Sequence, residues 1–301
     1  MKPIQIVACV LSVVVLGVTV SSLSAEEPAL DVGHRARSVK PGEVVVLEVR
    51  PSEPVVTVLA TAFGATVRFF ADGPGDVWQG VVGIDLEARP DDYPVAVRAT
   101  LGNGDTVRAT YLLRVEPKEF PTRHLSVNPS FVNPPADVLD RILREASRQS
   151  EIFQTSTADR QWEGGFLRPV PGDSTSSFGR RSVFNGEPRS PHSGTDFRAG
   201  EGTPIAAPNA GTVVLAGELY FSGNVVIIDH GWGLYSYFAH LSSTDVEEGQ
   251  AVDRGQLVGS VGATGRVTGP HLHWTVRLND ARVDPLSLMS LFPSDVSGTP
   301  H

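Results

Sequence analysis

Gly265-Arg-Val-Thr-Gly-Pro-His-Leu-His-Trp-Thr-Val276 reads as a glycine-rich loop that runs into a β-strand. Side chains two apart on a strand share a face, so His271 and His273 converge while Leu272 turns away. The same pattern recurs upstream. Gly211-Thr-Val-Val-Leu-Ala216, Asn224-Val-Val-Ile-Ile228, Tyr235-Ser-Tyr-Phe238 and Gln256-Leu-Val-Gly259 are short apolar runs between turn signals. From Phe166 to about Pro293 they predict a mainly antiparallel β domain.

Before it, Val138, Leu139, Ile142, Leu143 and Ala146 recur at helical spacing, with Asp137–Arg141 and Asp140–Arg144 four apart. One amphipathic helix from Ala136 to about Gln154 is expected, packed on a neighbouring domain. Pro117, Pro121, Pro129, Pro134 and Pro135 keep the preceding connector out of regular helix. From Val39 to Glu116 the text is again β. Glu43–Val49 is bounded by Pro41-Gly42 and Pro51, and two alternating runs flank Gly102-Asn103-Gly104 as a hairpin. A small β-sandwich of immunoglobulin-like shape is expected, serving as a spacer or docking module. The chain is thus mainly β: a sandwich at 33–117, connector and helix at 118–160, an antiparallel β domain at 161–294 and a flexible tail at 295–301.

The N-terminus reads as a targeting device. Lys2 precedes the apolar run Ile4–Val20, followed by Ser22-Leu23-Ser24-Ala25. Charged start, apolar middle and small-residue end predict a signal peptide over 1–25, with a retained single-pass anchor as the alternative. The lone cysteine, Cys9, falls inside it, so the exported part has no disulfide to rest on. A net charge of −9 argues against a nucleic-acid partner and against electrostatic docking on anionic lipid.

Chemistry-bearing residues gather in the second β domain. His192-Ser-Gly-Thr-Asp196 offers an imidazole and a carboxylate, both competent zinc ligands, although alone it also reads as a surface histidine beside an ordinary aspartate. His271 and His273 suit a metal ligand beside a catalytic partner, or a solvated pair. His240 ends the apolar run Tyr237–Ala239. Gly262, Gly265 and Gly269 shape a loop, without the lysine a phosphate loop requires. Three ligand candidates with an open fourth position form the catalytic zinc pattern, in which bound water reaches a pKa of roughly 7. The H-E-x-x-H motif is absent, so base and acid work falls to the remaining histidines. A cupin-like site also uses H-x-H but places that pair before its other ligands; here it comes last.

Thr175-Ser-Ser-Phe-Gly-Arg180, His192–Asp196, Gly202-Thr-Pro-Ile-Ala-Ala-Pro208, Tyr237-Phe-Ala-His-Leu-Ser242 and Gly265–Trp274, in this order, make residues 166–286 resemble the lysostaphin-type (LytM-domain) zinc metallopeptidases. The resemblance implies that His192, Asp196 and His273 hold zinc. It implies that His240 and His271 are the catalytic histidines, helping to deprotonate water and to stabilise an oxyanion, with the division between them open. It further implies an exported endopeptidase of the periplasm or cell envelope, whose partners are peptidoglycan stem peptides and a regulatory envelope protein. The alternative is a noncatalytic regulator that activates a cell-wall amidase or binds peptidoglycan. Arg180, Arg181 and Asn185 are candidate groove residues, and His230 is read as structural. The connector and helix are expected to cover the cleft.

Overall fold

Val44, Val45, Val46 and Leu47 are all fully buried, which a strand with one wet face does not allow. The computed structural model, which describes residues 29–71, 77–126, 134–175 and 177–293, shows why. (The expected signal segment with Cys9, Pro129 and the tail 295–301 lie outside those residues.) This strand is covered on both sides. Val45, Leu47 and Val49 face the core of the N-terminal unit, whereas Val44 and Val46 join the core of the C-terminal unit.

The N-terminal unit comprises β1 (Leu30–Ala36), β2 (Val44–Pro51), β3 (Val55–Ala62), β4 (Ala65–Ala71), β5 (Trp78–Gly83), β6 (Asp91–Leu101) and β7 (Thr106–Val115). All pair antiparallel in the order β1-β2-β5-β4-β3-β6-β7. Strand β4 pairs with β3 through Ala65–Arg68 and with β5 through Phe69–Ala71, so one strand carries the chain between the two halves. The expected hairpin is β6–β7, with Val97 opposite Ala109.

The connector contains a strand that its prolines and short length concealed. This is β8 (Thr122–Leu125), which pairs parallel with β9 (Arg181–Phe184), itself hairpinned to β10 (Glu187–Arg189). After a 3-10 turn at Ala136–Val138 comes α1 (Leu139–Gln154). Asp137 lies in that turn, so its four-residue spacing to Arg141 is not helical, and Arg141 pairs with Glu145 at 2.6 Å instead. The helix packs through Phe153 edge-on to Tyr235, ring centroids 5.6 Å apart, while Leu143 stays exposed.

The C-terminal unit holds β11 (Gly194–Phe197), β12 (Pro204–Ala206), β13 (Gly211–Leu219), β14 (Gly223–Asp229), β15 (Leu234–Thr244), β16 (Ala251–Val252), β17 (Leu257–Val261), β18 (Leu272–Leu278) and β19 (Ala281–Val283). Its main path is β11-β18-β15-β14-β13-β16, with antiparallel pairing throughout. Val226 and Ile228 face the larger core with Phe238 and Trp274; Val225 and Ile227 face α1.

A closing helix, α2 (Pro285–Leu291), was not expected from the sequence. Asp284 caps it by accepting from Leu286 N, and proline occupies the first turn, where its missing N–H costs nothing. Ser287 Oγ, buried, accepts from Val44 N at 2.9 Å, so α2 wedges between the two units.

His230 is fully buried. Its Nδ1 donates to the Ala210 carbonyl at 2.7 Å and its Nε2 accepts from the Ser236 hydroxyl at 2.9 Å, a structural role as expected. Burial lowers its pKa to about 4, so below pH 6.5 the unfolded chain binds a proton that the folded one refuses. Stability is therefore lost as pH falls from 6.5 towards 4, by on the order of 2–3 kcal/mol from this group. Urea unfolding at both ends of that window should show a smaller loss in His230→Asn than in the parent.

Candidate metal centre and its cleft

Strands β11 and β18 set Asp196 directly opposite His273, which brings a carboxylate and an imidazole side by side on one face. His192 enters from the loop before β11. That loop is pinned to residues 177–180: His192 N donates to the Arg180 carbonyl at 3.0 Å and Gly179 N to the His192 carbonyl at 2.8 Å. Ligand atoms of His192, Asp196 and His273 all lie within 4.8 Å of one another.

The ring orientations are fixed by groups behind them. A carbonyl can only accept, so Nδ1 carries the proton wherever it meets one. This holds for His192 on Ser177 O (3.1 Å), for His240 on Thr264 O (3.0 Å) and for His271 on Gly269 O (2.9 Å). In each neutral ring Nε2 is left as a lone pair. His273 is reversed: its Nε2 meets Thr275 Oγ1 at 2.9 Å and its Nδ1 faces Asp196 at 3.0 Å.

His192 Nε2 and His273 Nδ1 thus both aim at Asp196 Oδ1, from 3.1 and 3.0 Å. Lone pairs facing a carboxylate at this range repel unless positive charge lies between them. Two imidazole nitrogens and one carboxylate oxygen are the donor chemistry zinc takes, with room for a further ligand on the cleft side. The residues fit the ion.

His240 reaches this group by a break in the strand. Asn224 pairs with Leu241 but Val226 pairs with Phe238, so β15 carries one extra residue. Both Phe238 and Leu241 face the larger core, and between them His240 takes a left-handed conformation, φ 67°. Such a bulge re-aims a side chain, and a non-glycine residue in this region stores strain that its surroundings must hold. Here Ser222 O and Thr264 O grip its backbone and ring. The His240 ring stands 5.2 Å from His271 and 5.9 Å from His273. Burial, reinforced by the neighbouring His273, lowers its pKa to about 4, so the ring is neutral at pH 7.

All five expected side chains line one cleft of about 660 Å³. Of the groove candidates, Arg180 lines it. Asn185 does not; with φ 51°, and Gly186 at 88°, it makes the turn between β9 and β10. Arg181 donates its N–H to Pro121 O at the entry to β8. The expectation that helix and connector cover the cleft is met only by β8, whose Arg123 lines it; no residue of α1 does. Sequence reasoning missed Thr275, although a threonine two positions beyond His273 on the same face was the available signal. Thr275→Val should weaken zinc binding about 10- to 100-fold by removing the partner that orients the His273 ring, measured by competition with a chelator.

Residues 190–285 match the family model described as Peptidase family M23. A segment of 97 residues is 42% identical to the DD-carboxypeptidase/endopeptidase Mpg of Neisseria meningitidis serogroup B, covering 32% of this chain and 22% of that protein. One of 84 residues is 48% identical to the peptidoglycan DD-endopeptidase ShyA of Vibrio cholerae, covering 28% and 20%. The chain therefore matches about a fifth of the length of these curated relatives. A Pseudomonas aeruginosa crystal structure described as a peptidase M23 aligns far more widely: it covers 85% of this chain and 97% of its own, with a TM-score of 0.66 and 35% identity. Mutual coverage on that scale extends the kinship beyond the residues around the metal centre, and the chain belongs to peptidase family M23.

Proposed function

We propose that this chain is a zinc endopeptidase of the cell envelope that hydrolyses peptide cross-links in peptidoglycan. The observation that carries the reading is the convergence of His192, Asp196 and His273 in one cleft with His240 and His271. The curated relatives with activities on peptidoglycan support the substrate class, and the segment 1–25 supports export. Among the described residues, no helix is long and apolar enough to cross a membrane. With all five groups in place, catalysis is favoured over the noncatalytic reading.

His192, Asp196 and His273 would hold zinc, which would supply Lewis acidity and make water more acidic, with a pKa of roughly 7. The protein supplies orientation and proton handling. Thr264 and Gly269 fix His240 and His271 with Nε2 bare, so both rings are acceptors set to take a proton from the attacking water. Once protonated, either ring becomes an Nε2–H donor, able to stabilise charge on the carbonyl oxygen and to return the proton to the leaving amine. The neutrality of His240 at rest is what its burial secures.

Residues 26–301, purified, should release soluble muropeptides from cell-wall sacculi, stop on chelation and recover with zinc. His240→Ala should lower that rate about 10²- to 10⁴-fold with zinc content retained. Full turnover in that variant would overturn the assigned roles.

A further inference from the structure

The charge of the cleft runs against that of the chain. The sequence carries a net −9, yet the side chains lining the cleft include Arg123, Arg180, Arg189 and Arg266, and the one carboxylate among them is Asp196. Three of these arginines arrive from different parts of the fold. Arg123 lies on β8, where its Nε donates to Ser182 Oγ at 3.1 Å. Arg189 ends the β9–β10 hairpin, and Arg266 sits in the glycine loop ahead of β18, its guanidinium 4.4 Å from the centre of the Phe221 ring.

Among the described residues, Arg189 keeps a donor that nothing within the protein meets. Arg189 gives one end of its guanidinium to Glu187, at 2.6 Å, but its Nε is buried with no hydrogen-bond partner. A buried donor without an acceptor costs about 1–3 kcal/mol, so an arrangement that keeps one gains when an acceptor arrives. Arg266, which lines the same cleft, is held below its ordinary pKa by burial and then by the positive charge of Arg189. An anion bound beside them would offset that mutual repulsion. The remaining lining adds the hydroxyls of Thr175, Ser182, Ser190 and Thr268 beside the apolar Phe184 and Val267.

We propose that Arg123, Arg189 and Arg266 bind a free carboxylate of the substrate peptide, making the cleft selective for acidic cross-links over neutral ones such as glycine bridges. Guanidinium forks pair with carboxylates through two parallel N–H···O bonds, so they fix the position of the peptide as well as attract it. Strand β8 is then part of the substrate-binding wall, contributed by the segment that joins the two units. The proposal rests on the peptidoglycan reading and narrows it to a substrate class.

The test uses the zinc-loaded chain and two synthetic cross-linked peptides that share one scissile bond. In one, the diamino acid beside the bond carries its free carboxylate; in the other, that group is a carboxamide. The parent should cleave the acid with a kcat/KM about 10- to 100-fold above the amide, the worth of a charge-assisted pair, mainly through KM. In Arg189→Gln and Arg266→Gln the ratio should fall to within about twofold of one. Arg123→Gln, exposed on β8 and outside the metal-binding strands, should reduce it in the same direction. Zinc content and melting temperature, measured on each variant, separate a binding defect from a folding one. Equal parental rates on acid and amide, or variants that keep the parental ratio, overturn the arginine proposal and leave the hydrolase standing. Failure to cleave either peptide or sacculi overturns both.

Discussion

Asp196→Asn is expected to leave the protein folded and nearly free of zinc, with hydrolysis down by roughly a thousandfold or more. The asparagine keeps the shape of the aspartate but not its charge. In the parent, one carboxylate oxygen is the common target of His192 Nε2 and His273 Nδ1, with His271 Nε2 at 3.7 Å behind them. A neutral amide at that point cannot offset a dication, and its NH₂ end cannot ligate at all. The readout need not be activity. Zinc at a hundred times its dissociation constant should raise the unfolding free energy of the parent by about 2.7 kcal/mol and that of the variant by nearly nothing. A variant that still gained thermal stability from zinc would show that the ion sits elsewhere.

Gly194→Ala should damage the fold and the metal centre together. An added Cβ would stand 2.5 Å from the Trp274 carbonyl, 2.7 Å from Thr275 Oγ1 and 2.8 Å from His273 Cε1. The first neighbour is backbone, so relief requires β11 and β18 to separate where they hold Asp196 against His273. The cost in stability is expected near the top of the range for overpacking, about 3 kcal/mol. Zinc affinity should drop at least as far as in Thr275→Val, because the same methyl displaces the His273 ring and the threonine that orients it. Gly217→Ala is the matched control. Nothing lies within 4 Å of a Cβ there, and the change should stay within about 0.5 kcal/mol. Chemical denaturation and chelator competition on the pair would decide the matter.

What could be read from the sequence followed from period. His271, His273 and the alternation of β6 and β7 needed only the two-residue repeat of a strand, and the motif around Asp196 needed only ligand chemistry. His240 was legible as a residue but not as a geometry. Strict alternation assigns it to the core side with Phe238, and one inserted residue with a left-handed backbone turns it back to the metal centre. Strand β8 escaped because Thr122–Leu125 is too short to show a period, and its partner lies more than fifty residues away. The second helix left a visible Asp284-Pro285 signature that went unread because seven residues carry little helical repeat. The arginines of the cleft could not be grouped beforehand. Positions 123, 189 and 266 meet only through the fold, and an acidic total charge conceals a local excess of the opposite sign.

Strand β2 shows how the two units depend on each other. Val44, Val46 and Val81 reach out of the N-terminal unit to complete the hydrophobic centre behind β11 and β18, and Asp284 gathers Arg37, Thr195 and the start of α2 onto one carboxylate. Thr195 is the immediate neighbour of Asp196 on β11. An excised fragment beginning near residue 160 would therefore be a wounded protein rather than a minimal one, with an oily scar where the N-terminal unit had lain and a loosened shelf under its aspartate. Anyone seeking a smaller version of this protein would do better to trim the exposed hairpin tips and to keep both halves.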